Sequence, residues 1–187
     1  MVTDEPYDDA AGLLEFWFSE EVSRRWFRST PQFDEALRRR YEPLVVAALQ
    51  GELRKWAATP RGALALVLLL DQLPLNIYRG QARGFVGEQQ AREVAAAALE
   101  QGWDRQLSEK EKAFLYIPFM HSENLADQQR AVALYRAAGL EGNLRWAEHH
   151  CDIIRRFGRF PHRNAILGRE STPEELDWLA SREAFRG

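Results

Sequence analysis

The sequence predicts an all-α fold, and three observations carry that prediction. Almost no stretch alternates with a period of two residues; Ala, Leu, Arg and Glu dominate; and helix-start signals recur ahead of apolar stretches. With 187 residues, 45% hydrophobic and 28% charged, the chain can bury a sizeable core and does not read as disordered. We expect one domain over 1–187, built from about seven to nine helices with short connections and packed in antiparallel pairs.

A first helix is predicted over Tyr7–Ser19, carrying Leu13, Leu14 and the run Phe16-Trp17-Phe18, with Trp26-Phe27 in the connection after it. Thr30-Pro31 reads as a cap followed by proline at the first helical position, opening a helix to Gln50 that Pro43 should kink or split. Gly51 interrupts, and Glu52–Ala58 form a short amphipathic piece around Leu53 and Trp56. Thr59-Pro60 repeats the start signal. The helix it opens, Arg61 to about Leu73, is apolar all round and belongs at the centre of the fold, with Pro74 expected to stop it. Gly87–Leu99 is an Ala-rich helix ended by Gly102. Ser108 and Glu111 form a capping box ahead of a helix that Pro118 should bend. Another helix runs to about Ala138, and a long one covers Leu144–Arg156, where Asp152 and Arg156 are spaced to pair. Thr172-Pro173-Glu174-Glu175 starts the last helix, whose Leu176 and Leu179 should close over the rest with Trp178 flanking them.

Charge and composition exclude several function classes. The formal net charge of -3 gives no whole-molecule attraction to nucleic acid or anionic membrane, and acidic residues accompany most arginines. The longest apolar run, Gly62–Leu70, is about half a membrane span. The single cysteine, Cys151, and the acidic start at Asp4, Glu5, Asp8 and Asp9 point to a cytoplasmic protein. Of the 25 basic side chains 22 are arginine, the better residue for bidentate contacts with carboxylate or phosphate.

Three polar clusters each follow a strongly apolar helix. Asp71 emerges from the most apolar one, where a buried carboxylate needs a cationic or multi-donor partner, and Asn76, Tyr78 and Arg79 follow. His121, Glu123 and Asp127 form the second cluster. The third holds His150 on an apolar helix face and then Arg159, His162, Arg163 and Asn164, in a loop where phenylalanines sit among cations. If these helix ends converge, they make one polar pocket. Its residue types suit a small anionic ligand held by Arg159, Arg163, Asn164, His162, His150 and Arg79. Asp71, His121 and Glu123 would supply acid/base capacity. No repeated Glu-x-x-His pair, Gly-rich phosphate loop or nucleophile elbow occurs, so no metal and no cofactor are expected. Cys151 is a poor nucleophile, because the neighbouring Asp152 raises a thiol pKa.

Specific strings give the chain a family resemblance: Leu13–Phe18, Trp26-Phe27, Phe33-Asp34, Leu69–Gln72, Pro118–Glu123, Asp127-Gln128, His150, Phe157–Asn164 and Thr172–Glu175. With these, the sequence resembles the bacterial domain-of-unknown-function family 924 over nearly its whole length. The resemblance implies a compact right-handed helical array of the tetratricopeptide-repeat-like superfamily, although no 34-residue period is present here. It brings no reaction. Two positions depart from the family pattern: Leu75 stands where Arg is usual, and Glu88 where Asp is usual. The functional expectation is therefore a pocket for a small anionic or polar ligand. A peptide- or protein-binding scaffold and a purely structural polar network are the alternatives.

Overall fold

The structure, a computed structural model, describes residues 10–26, 28–181 and 184. Among them lie ten α-helices and no strand; α4 and α5 join through a π-helical turn, which leaves nine helical segments. The chain divides into two units, one of 1–79 with 83–118 and one of 80–82 with 119–187. No helix among the described residues is long and apolar enough to cross a membrane.

The first unit holds α1 (Ala10–Trp17), α2 (Glu20–Ser23), α3 (Pro31–Leu49), α4 (Pro60–Val67), α5 (Leu73–Ile77), α6 (Glu88–Glu100) and the start of α7 (Glu109–His121). Tyr7–Asp9 of the predicted first helix, and Phe27, lie outside the described residues. Both Thr-Pro signals work as read. Thr30 Oγ1 accepts the Phe33 N–H at 3.2 Å, and Thr59 Oγ1 accepts the Gly62 N–H at 3.1 Å. The capping box also forms: Ser108 N–H donates to Glu111 Oε2 at 2.9 Å, and Glu111 N–H to Ser108 Oγ at 3.4 Å. Pro43 does not split α3. One rung of the ladder is lost there, but Leu37, Tyr41, Val45 and Ala48 bury one face on both sides of it and keep the helix continuous.

Ala63–Leu70 are all buried, which makes α4 and the turn after it the core of this unit. Pro74 does not end the helical path, contrary to expectation. Leu68–Gln72 form a π turn, and Pro74 then falls in the first turn of α5, where no N–H is needed. The start of α6 rests on this turn: a Cβ on Gly87 would stand 2.2 Å from the Leu70 carbonyl oxygen, so the approach requires glycine. Trp17, Trp26 and Phe114 pack edge-on or stacked, with the Trp26 and Phe114 centroids 4.6 Å apart.

The second unit holds the end of α7, α8 (Leu125–Ala137), α9 (Glu141–Phe157) and α10 (Pro173–Ala180). Helices α8 and α9 pack on one another. Ile153, Ile154, Phe160 and Trp178 form a second core. Gly158, at φ +70°, ends α9 with its N–H on Ile154 O at 2.8 Å. Two sequence expectations change here. Asp152 pairs with Arg155, and Arg156 reaches Glu174 at 2.9 Å, because the end of α9 offers Arg156 a carboxylate from another helix. In α10 it is Trp178 that is buried, while Leu176 is 55% exposed. Glu175 turns inward, and Trp178, three residues on, shares its face.

Candidate functional site

In the first unit, Asp71 lies in the π turn and is buried. Gln72 Nε2 donates to its Oδ2 at 2.6 Å, and the Glu88 carboxylate comes within 4.8 Å of it. Arg79 donates to Asp34 through Nε at 2.7 Å, and Asn76 and Ser29 donate to the same carboxylate at 2.8 and 2.6 Å. Burial raises the Asp34 pKa, but Arg79, Ser29 and Asn76 together bring it below the usual range.

In the second unit Glu123 of the His121–Asp127 cluster meets the His150–Asn164 cluster at Phe160, which is fully buried. The His150 and His162 rings each stand 5.4 Å from the Phe160 ring, centroid to centroid. The buried Arg163 guanidinium lies 4.7 Å over the same ring. Glu123 Oε1 accepts the Phe160 N–H at 2.7 Å and Arg169 Nη2 at 2.8 Å, while Oε2 accepts Arg169 Nη1 at 2.6 Å.

Arg169 Nε also donates to Asn164 Oδ1 at 3.0 Å, and Asn164 Nδ2 donates to Ser171 Oγ at 3.0 Å and Glu175 Oε2 at 3.2 Å. Arg159 closes the chain with Nε on Glu175 Oε1 at 2.7 Å and Nη2 on Glu175 Oε2 at 2.9 Å; the same Nη2 donates to Glu170 O at 2.8 Å. Glu175 also completes the α10 capping box.

The electrostatics follow from burial and pairing. Burial lowers the His150 pKa to about 3, helped by His121, His149 and His162 and opposed by the hydrogen bond to Trp146 O. That 2.8 Å bond requires a proton on Nδ1 and leaves Nε2 as the accepting nitrogen. His162 falls to about 4, through burial first and then Arg163 and His121. Both imidazoles are neutral at pH 7. For Glu123, burial pushes the carboxyl up, but Arg169, the Phe160 N–H and Arg163 outweigh it and the net shift is downward. Arg159 brings Glu175 down to about 2. Burial raises the Cys151 thiol, with Asp152 adding to it against Arg155, consistent with an inert cysteine.

Of the predicted site residues, His121, Glu123, His150, Arg159, His162, Arg163 and Asn164 thus share the second unit, whereas Asp71 and Arg79 belong to the first. Three residues that sequence reasoning missed hold this arrangement: Arg169, Glu175 and Gln128. Glu175 was legible as a cap, but nothing local marked it as the partner of Arg159 sixteen positions away.

The pattern of the family described as "Bacterial protein of unknown function (DUF924)" matches residues 13–183. The chain belongs to this family. A solved structure of a family-like protein of unknown function, ATU0120 from Agrobacterium tumefaciens, is 42% identical and superposes with a TM-score of 0.86, covering 91% of this chain and 96% of that one. No curated protein matches. The DUF924 assignment confirms the resemblance read from the motifs and brings no reaction with it.

Proposed function

We propose that this DUF924 protein binds a small anionic or polar ligand in its second unit, beside Phe160. Arg163, His162 and His150 are the contacts, and His121 and Glu123 flank them. One observation carries the reading. The buried Arg163 guanidinium lies over the Phe160 ring, in a network where Arg159 and Arg169 are paired with Glu175 and Glu123, and the imidazoles around that ring are themselves neutral. A buried guanidinium favours an anion, since charge–charge attraction strengthens as water is excluded. Neutral imidazoles add hydrogen-bonding groups there without adding charge.

A structural reading applies to other members of the set. Arg159 and Asn164 spend their polar atoms on Glu175, Glu170, Ser171 and Arg169, as expected of groups that tie loop 159–171 to α10. The single buried cysteine supports a reducing, cytoplasmic setting.

Calorimetric titration with phosphate, sulfate and small carboxylates tests the proposal. Saturable binding is expected, weakened by about tenfold or more in Arg163→Gln, which corresponds to roughly 1.4 kcal/mol. Arg159→Gln should lower stability and leave the affinity nearly unchanged. Absence of binding across the panel, or equal affinity in Arg163→Gln, overturns it.

A further inference from the structure

The segment that carries His121 is held from α8, where the sequence marked Asp127 as part of the polar cluster but gave Gln128 no role. The last turn of α7 leaves carbonyl groups with no partner of its own, and here they are met from α8. Gln128, with no exposed surface, donates through Nε2 to Met120 O at 2.7 Å and to Ser122 O at 2.6 Å. Both amide hydrogens are used, and the two carbonyls they reach flank His121 on either side. Ser122 is pinned again, its Oγ donating to Asp127 Oδ2 at 2.7 Å and accepting the Asn124 N–H at 3.1 Å. One residue further, Glu123 is tied to Phe160 and Arg169. His121 therefore sits on backbone fixed from both directions.

We propose that Gln128 is the positioning residue of His121: its amide fixes the backbone that carries His121, two residues before the Glu123 that is tied to Phe160. Stability alone is a weak explanation of this side chain. Its Oε1 is buried and meets no donor among the described residues, so an amide here gains two bonds and leaves one acceptor unmet. The geometry it enforces is specific, because only a side chain of this length with two donors spans both carbonyls. The functional consequence rests on the ligand reading above; the positioning does not.

The test is the side-chain imidazole 1H–15N NMR spectrum of the full chain without ligand, in wild type and in Gln128→Met, which keeps the length and removes both donors. The four histidines give an internal comparison. The signal of His121 is expected to move or split by several linewidths. Leu144→Ala, a cavity variant in α9, should leave all four where they are. If Gln128→Met does not fold, Gln128→Asn, an amide too short to reach both carbonyls, serves the same comparison. An unmoved His121 signal, or the same movement in Leu144→Ala, overturns the proposal. Phosphate titration of the same samples is a separate arm. Failure of wild type to bind it removes the ligand reading and leaves the positioning result decided by the spectra.

Discussion

The run Ala63–Leu70 of the first unit is buried throughout, and the loop Arg159–Asn164 of the second buries Phe160, Arg163 and Asn164, yet the two bury opposite chemistry. The first is wholly aliphatic apart from its backbone. Its stabilisation comes from removing apolar surface from water, about 25 cal/mol per Å², and does not depend on protonation. The second places Arg163 and Asn164 against Phe160, with Glu175 behind them, where each polar atom must be met by a directional partner. Burial alone therefore says little about what holds a segment. An aliphatic core tolerates changes of pH and salt, whereas a polar one converts them into changes of stability and geometry.

Four measurements would break or sharpen that contrast. The largest effect is expected for Leu69→Ala, at a site with no exposure, which should cost about 4 kcal/mol in chemical denaturation. That loss should be the same at about pH 5 as at about pH 7, since no titrating group is removed. A loss that varied with pH would erase the distinction between the two units.

Next comes acidification. His150 and His162 have folded-state pKa values of about 3 and about 4, below the ordinary 6.5, so the unfolded chain binds their protons first. Their contribution is fully present above 6.5 and is lost progressively as the pH falls toward 4 and then 3. The decline should be on the order of 3 kcal/mol by about pH 5, with hydrogen exchange rising in residues 119–181. Flat stability over that window would show that the imidazoles are not desolvated.

Glu175→Ala should cost about 2 kcal/mol, through loss of the α10 cap and of an acceptor for buried Asn164. The smallest effect is expected for Arg136→Ala, since its pair with Glu148 at 2.8 Å is largely exposed; thermal melting should register less than about 0.5 kcal/mol. A larger loss there would mean that surface pairing contributes to the α8–α9 contact.

Much of the polar cluster around Phe160 was legible in the sequence, but its pairings were not. Arg159 and Asn164 stood out because polar side chains among phenylalanines are conspicuous, Glu123 because it follows an apolar helix, and the structure links all three through Arg169 and Glu175. How they pair depended on Glu175 and Arg169, neither of which looks unusual in its own neighbourhood. Pro74 shows the same limit in the fold. As a helix stop the reading was reasonable, and only the register shift of the preceding π turn made proline harmless there.

By itself, the sequence determined the all-α class, the Thr-Pro and capping-box helix starts, the apolar central helix and the family. These follow from local propensity, capping chemistry and period, all of which act over a few residues. Tertiary structure alone decided that Arg159 meets Glu175, that Glu123 meets Phe160 and Arg169, that Glu175 rather than Leu176 faces inward, and that Gln128 holds the backbone at His121. The physical reason is that a hydrogen bond or ion pair depends on distance in space and is indifferent to separation along the chain. These partners are brought within reach only when α7, α8, α9 and α10 pack.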